Sequence, residues 1–237
     1  MTRPTVSAVF PCYNDATTIG KLVDDVHTAL DPLTEALEVI VVDDGSTDRS
    51  GEVLAALKHG RPWLRVVTHD RNRGYGAALI SGFGAARHEW IFYTDGDGQY
   101  DAAEAALLLP LATDRIDVVQ GYKIGRADSW YRKVIGRSYH HVVKMLFRLP
   151  GRDTDCDFRL FRRRLVVDTP LTSTSGVVCV EMMRSFDRSG ARFIEVPVHH
   201  YARQTGRSEF FRLASITRSA LQLMTLWWRT VARGPRT

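Results

Sequence analysis

WIFYTDGDGQYD, residues 90–101, decides how this chain is built. Its apolar, aromatic and β-branched opening reads as a short buried strand, and the run stops at the acidic turn Asp95-Gly96-Asp97-Gly98-Gln99. Carboxylates two apart repel each other unless something positive sits between them. A calcium loop of the EF-hand kind is excluded: its sixth position needs Gly and its twelfth Glu, where this chain has Tyr100 and Ala106. A plain surface turn is the bland alternative. Against it, the Asp95 and Asp97 carboxylates and the Gln99 amide oxygen make a hard-oxygen set suited to Mg2+ or Mn2+. Such ions complete their shell with substrate phosphates and water. The turn is then half a site, and a diphosphate supplies the rest.

The same pattern repeats outward from residue 90. Apolar runs at Val6–Phe10, Leu37–Val42, Leu64–Thr68, Trp90–Thr94 and Ile116–Gln120 alternate with helix-length amphipathic stretches. Those stretches are Thr17–Leu30, Asp48–Lys58, Gly76–Arg87 and Asp101–Leu111. Alternation of this kind predicts an α/β fold, a mostly parallel sheet with helices on both faces. Ligands in such sheets bind beyond the carboxyl ends of the strands. PCYND, DDGSTD and DGDGQ fall there, after the first, second and fourth strands. In DDGSTD (43–48), Ser46 or Thr47 is placed to cap a helix opening at Asp48. Asp43 and Asp44 can also receive the donors of a base or ribose. NRGYGAAL (72–79) holds Gly74 and Gly76 but lacks the third glycine of a dinucleotide fingerprint, and it is not on the first strand. Close backbone packing beside the site is the expected role.

The second half is less regular. DSWYRKVIGRSYHHVVKMLFRL (128–149) predicts one helix with an apolar side and a basic side, and Val177–Arg188 another. FRLF (158–161) and ARFIEVPV (191–198) predict strands, and Glu209–Arg233 a last helix carrying Trp227 and Trp228. Of the 237 residues, 44% are hydrophobic and 25% charged, which suits one sizeable globular core rather than disorder. The net charge of +5 conceals an asymmetry: residues 1–120 carry 10 Lys/Arg against 18 Asp/Glu, and residues 121–237 carry 22 against 9. An acidic half suits a metal and a basic half suits anions, with two differently charged solvated faces as the alternative. Cys12, Cys156 and Cys179, an odd set without ligand spacing, read as reduced thiols of a cytosolic protein. The N-terminus lacks the apolar core of a signal peptide.

Taken in order, PCYND, DDGSTD, NRGYGAAL, TDGDGQYD, GYKIGR, RDTDCDFRLFRR and PVHHYARQTGRSEF resemble the family 2 glycosyltransferases of the GT-A fold. The likeness is nearest to the polyprenyl-phosphate branch typified by dolichol-phosphate mannosyltransferase. It runs from about Val6 to Ser208. It implies a transferase domain over residues 1–208, with 1–120 as the nucleotide and metal half and 121–208 as the acceptor half. Residues 209–237 then form a C-terminal amphipathic helix and tail. By resemblance, Pro11, Tyr13, Asp15, Asp43 and Asp44 bind the nucleotide sugar together with Asp95, Gly96, Asp97, Lys123 and Arg203. Asp95, Asp97 and Gln99 hold Mg2+ or Mn2+. Lys123, Arg132, Arg137 and Ser208 meet the acceptor phosphate. Asp95, Asp97, Arg132 and Arg203 are the catalytic set. Two positions depart from the family pattern: Asp15 stands where Glu is usual, and Gly136 where Ser is common in the branch.

A departing nucleoside diphosphate gains negative charge as the glycosidic bond breaks, which a dication with Lys and Arg around it stabilises. A lipid phosphate is already an ionised nucleophile, and the resemblance implies inversion by direct displacement onto it. A hydroxyl acceptor would need a base. Glu181 is the candidate, against an ordinary helix-surface carboxylate. The expected partners are a GDP- or UDP-linked sugar, a polyprenyl phosphate and an anionic membrane surface, not nucleic acid. A membrane-anchoring protein or a homo-oligomer remains a further option. The longest uncharged stretch near the C-terminus, Ser219–Trp228, is shorter than the roughly 20 apolar residues of a membrane span. Peripheral placement on the cytoplasmic face follows as the expectation. The rivals are a same-fold transferase acting on a soluble hydroxyl and a non-catalytic basic module, which leaves the acidic motifs without a task.

Overall fold

The computed structural model describes residues 3–124, 142–154, 156–201 and 213–232, with backbone alone over 213–218. The first half alternates strand and helix as the pattern predicts. β1 (Thr5–Cys12) leads to α1 (Ile19–Leu30), β2 (Ala36–Asp43) to α2 (Ser50–Leu57), and β3 (Leu64–Thr68) to α3 (Tyr75–Ala85). Then come β4 (Trp90–Thr94), the short α4 (Ala105–Leu108) and β5 (Val118–Ile124). The second half holds a helical stretch at 142–147, β6 (Phe158–Arg162), α5 (Arg164–Asp168), α6 (Val177–Arg188), β7 (Phe193–His199) and α7 (Leu213–Trp227).

Among the described residues seven strands make one sheet in the order β3-β2-β1-β4-β6-β5-β7. All neighbours are parallel except β6, which runs antiparallel to both β4 and β5. Register brings the polar motifs level: Cys12 pairs with Asp43, and Val9 with Tyr93. Alternation along each strand then sorts the core onto two faces. Val6, Ala8, Phe10, Val39 and Val41 point towards α1, joined by Ile19, Leu22, Val23 and Val26 at helical spacing. Val9, Ile40, Val42, Ile91 and Tyr93 point the other way, with Leu79 and Phe83 of α3 and Met182 and Phe186 of α6. A third cluster joins Val143, Phe147 and Leu149 to Val177, Val180 and Met183 of α6 and Leu226 of α7.

Several predicted elements are adjusted. Asp101–Leu111 is not one helix but 3-10, α and 3-10 turns in succession. Pro110 lacks an N–H and its ring opposes the carbonyl four residues back, so the α-helix stops at Leu108. β5 starts two residues later than its apolar run and extends to Ile124, because β7 pairs with it from Val118↔Phe193 to Ile124↔His199. The last helix begins by Leu213 within the described residues and finishes in a π-helical turn, Trp228–Ala232. Of the predicted helix 128–149, residues 128–141 lie outside the described residues.

Candidate active site

Three loops leave the carboxyl edge of the sheet side by side, and side-chain hydrogen bonds lace them together. Asn14 sits in the left-handed region at φ 59°, a conformation its short amide tolerates. From there its Oδ1 accepts the backbone N–H of Thr47 (2.8 Å) and Asp48 (3.2 Å), while its own N–H donates to Ser46 Oγ (3.1 Å). Asp15 N–H donates to Ser50 Oγ at 3.0 Å, and Asp15 Oδ2 accepts Tyr13 N–H at 3.1 Å. Thr18 Oγ1 donates to the Gly96 carbonyl at 2.8 Å, binding the first loop to the acidic turn. A side chain at 96 would bring its Cβ within 2.6 Å of the Pro11 carbonyl, so that approach needs glycine.

The expected cap at DDGSTD is replaced. α2 opens at Ser50, and it is the Asp48 carboxylate that accepts the Ser50 N–H, at 2.9 Å. Ser46 Oγ is taken by Asn14 instead. Asp43 Oδ1 accepts the Ser46 N–H at 2.9 Å. Asp44 turns inward: its Oδ1 receives Arg73 N–H (2.9 Å) and meets His69 Nδ1 (2.6 Å), and its Oδ2 accepts Gly74 N–H (2.9 Å). Buried and engaged by three groups, Asp44 anchors the loop before α3.

Asp95 closes β4 under strong negative pressure. The antiparallel ladder ends at Thr94↔Phe158, so the next residues across it are Asp95 and Asp157. Burial pushes the Asp95 carboxyl well above the usual carboxylate range, and the charges of Asp157 and Asp97 add to the push. The Tyr75 hydroxyl, which donates to Asp95 Oδ1 at 2.7 Å, and the Lys123 ammonium pull the other way. Asp157 Oδ1 accepts from Cys179 Sγ (3.0 Å) and the Tyr93 hydroxyl (3.3 Å). Asp97 Oδ1 accepts the Gln99 N–H at 3.1 Å, and Gln99 Nε2 donates to the Tyr201 carbonyl at 3.1 Å. That bond uses the nitrogen end of the Gln99 amide, and the oxygen is the end whose chemistry suits a hard cation.

These residues fit a hard divalent cation. Hard oxygens surround an electrostatic deficit that protons or a dication must fill, as an open half-site completed by phosphates requires. Among the described residues no three His, Cys, Asp or Glu side chains are placed to hold a metal by themselves.

Lys123 stands at the end of β5, its N–H donating to Asp153 Oδ2 at 3.1 Å. Glu181 is not a helix-surface carboxylate. It is buried, and accepts the N–H groups of Thr172 (3.0 Å) and Ser173 (2.7 Å) and the Thr172 hydroxyl (2.8 Å). The loop it fixes packs on NRGYGAAL as expected: Gly76 N–H donates to the Thr174 carbonyl at 3.0 Å. Arg132, Arg137, Arg203 and Ser208 lie outside the described residues.

Tyr75, Asp157 and Arg159 belong to the site's surroundings, and no sequence motif assigns them a role. Arg159 is fully buried and donates to Gln120 Oε1, the Tyr93 hydroxyl and the Thr154 carbonyl. The available signal for Asp157 was a third carboxylate in RDTDCDFRLFRR just before a strand, but only the β4–β6 register brings it opposite Asp95.

The model of the family described as glycosyl transferase family 2 matches residues 7–169. The undecaprenyl-phosphate 4-deoxy-4-formamido-L-arabinose transferase of Edwardsiella ictaluri (strain 93-146) is 30% identical over 207 residues, 86% of this chain. The chain spans 62% of that relative's length. Glucosyl-3-phosphoglycerate synthase from Mycobacterium tuberculosis, crystallised with Mn2+, uridine diphosphate and glucosyl-3-phosphoglycerate, superposes with a TM-score of 0.73 at 20% identity. The match covers 98% of this chain and 82% of that one. A second crystal structure, of a mycobacterial protein, gives 0.71 at 21% identity over 97% of this chain and 75% of that one. At such identities the likeness speaks for the fold alone.

Proposed function

The chain belongs to glycosyl transferase family 2, and from that premise we propose that it is an inverting, divalent-metal-dependent glycosyltransferase acting on a polyprenyl phosphate. Its GT-A fold supplies the frame. The observation that supports the donor half is the lacing of three loops at one sheet edge, where Thr18 bonds Gly96 next to Asp95. Pro11, Tyr13, Asp15 and Asp43 line the nucleoside side of that edge in this reading. Asp95, Asp97 and Gln99 hold Mg2+ or Mn2+, whose charge, when bound, stabilises the departing diphosphate. Lys123 adds a cation beside Asp95, and Arg132 and Arg203 are assigned to the same phosphates. A phosphate oxygen of the acceptor attacks the anomeric carbon, the bond to the diphosphate breaks on the opposite face, and no proton has to be removed. Glu181, engaged by Thr172 and Ser173, is poorly placed to serve as a base, in keeping with such an acceptor.

The lipid half has two supports. The relative from Edwardsiella is named for undecaprenyl phosphate. This chain also exposes Leu221 and Met224 on α7 and Trp228 at the start of the π-helical turn that follows it, and Val142, Met145 and Leu146 on the 142–147 stretch. Apolar side chains with an interfacial Trp suit a helix lying in the plane of a bilayer. No helix among the described residues is long and apolar enough to cross a membrane. In this reading the protein works at the cytoplasmic membrane face, with a GDP- or UDP-linked sugar as donor.

A second reading, transfer to a hydroxyl of a soluble acceptor, is favoured by Asp157, a carboxylate beside Asp95 that such an acceptor would use as a base. Incubation of the chain with nucleotide sugars, Mn2+ and either a short polyprenyl phosphate or soluble alcohols separates the two. The first reading expects a glycosyl phosphodiester that mild acid cleaves. An acid-stable product formed only with alcohols would refute it.

A further inference from the structure

β7 does not simply end at His199. Its last residues are fastened to the acidic turn, about 100 positions earlier in the chain. Tyr201 N–H donates to the Gln99 carbonyl at 2.8 Å, Gln99 Nε2 returns a bond to the Tyr201 carbonyl at 3.1 Å, and Tyr100 and His200 form an antiparallel bridge. The Tyr100 and His200 rings meet edge to face at 5.1 Å. One carboxylate spans the far side of this junction. Glu104 Oε2 accepts the His199 backbone N–H at 2.7 Å, and its Oε1 meets the His199 ring Nδ1 at 2.5 Å. Glu104 is held in place by the turn before it, where the Asp101 carboxylate accepts Ala103 N–H at 3.0 Å.

We propose that Glu104 is a positioning residue for the reaction: by gripping His199 at backbone and ring, it holds the end of β7 against Gln99 and so orients the Gln99 amide for the cation. The inference rests on the transferase reading above. The acidic turn contains two glycines, and three carboxylates of one sign press on it, so it has little stiffness of its own. Its link to Tyr201 is a pair of bonds at a partly exposed edge. Glu104 adds two bonds to the neighbouring rung, at least one of them charge-assisted, from a side chain that is only 14% exposed.

Two readouts on the full chain test this, one of them free of metal. In Glu104→Ala, hydrogen exchange at the Tyr201 amide of the metal-free protein should quicken about tenfold. The Mn2+ concentration giving half of the thermal upshift in the presence of uridine diphosphate should rise about tenfold, equivalent to about 1.4 kcal/mol. Glu104→Gln can accept from the His199 N–H and donate to Nδ1 of the other imidazole tautomer, so it should recover to within about threefold of wild type. His199→Ala keeps the backbone bond and should fall between these; it decides the matter if Glu104→Ala does not fold. Half-saturation within about twofold of wild type in Glu104→Ala, or equal impairment in the Ala and Gln variants, would overturn the clamp alone. A wild-type protein with no Mn2+-dependent upshift with any nucleoside diphosphate would refute the clamp and the metal-dependent reading together.

Discussion

Gly76 and Gly84 lie on one helix, and replacing each with alanine should move stability in opposite directions. Intrinsic propensity favours Ala over Gly by about 0.8–1.0 kcal/mol inside a helix. At Gly84 nothing lies within 4 Å of the added Cβ, so the gain is realised. Gly84→Ala should raise the melting temperature by about 2–4 °C for a chain of this size. At Gly76 the Cβ would fall 2.2 Å from the Ser173 carbonyl oxygen, 2.8 Å from that of Ser175 and 2.9 Å from the Thr174 carbonyl carbon. All three are backbone atoms of a loop that Glu181 fixes at Thr172 and Ser173 and that Gln222 fixes at Ser175. The loop cannot yield without losing those bonds and the one from Gly76 N–H. Overpacking of this kind costs about 1–3 kcal/mol, and the lost backbone bond about 1 more. After the propensity gain is subtracted, Gly76→Ala should be destabilised by about 1–3 kcal/mol. Tyr75, displaced with the helix start, should leave Asp95, and transfer should slow. Urea denaturation of both variants, with melting curves and a transfer assay, reads all of this. Equal stabilisation by the two substitutions would refute the steric reasoning.

The remaining predictions concern charge. Asp97→Ala should abolish transfer and the Mn2+-dependent thermal upshift while leaving the metal-free melting temperature near wild type; full activity without metal dependence would count against the enzyme reading. Asp95→Asn keeps an acceptor for the Tyr75 hydroxyl but removes the buried like charge, so the metal-free protein should melt higher although transfer is lost. Glu181→Gln should lower the melting temperature modestly, because the two backbone N–H bonds to Oε2 lose their charge assistance, without shifting the pH dependence of transfer to a lipid phosphate. Burial, aided at Cys12 by Asp15, pushes the Cys12 and Cys156 thiols up to about 12. Between about pH 9 and 12 the unfolded chain has shed protons that the folded chain keeps, so stability should fall as pH rises, by at most about 1.4 kcal/mol per pH unit for each thiol. A Cys12→Ala/Cys156→Ala protein should show a shallower fall in its urea midpoint over that window.

Much of the first half is legible in the sequence because each strand is a short apolar run closed by a turn, and each helix carries its buried face at helical spacing. Leu64–Thr68 and Trp90–Thr94 are found where the runs place them. Sequence is silent where pairing decides. Nothing in FRLF announces that β6 inserts antiparallel between β4 and β5, and without that register Asp157 is only one more acidic residue. Tyr75 was hidden between two glycines that drew attention to backbone packing, which is real, while its hydroxyl reaches across to Asp95. Glu181 showed the opposite difficulty. A carboxylate on an amphipathic helix looks solvated until the loop that folds over it brings two N–H groups to its oxygens.

The reversed strand β6 also bears on how the protein is made. β4 gains its second neighbour only when Phe158–Arg162 emerges, about 60 residues after Thr94 leaves the ribosome. At roughly 5–20 residues per second, the open edge of a fully apolar strand waits several seconds during translation. Such an edge invites pairing with another nascent chain. Slow codons or a chaperone shortage across this interval should therefore aggregate the protein even when the finished fold is stable.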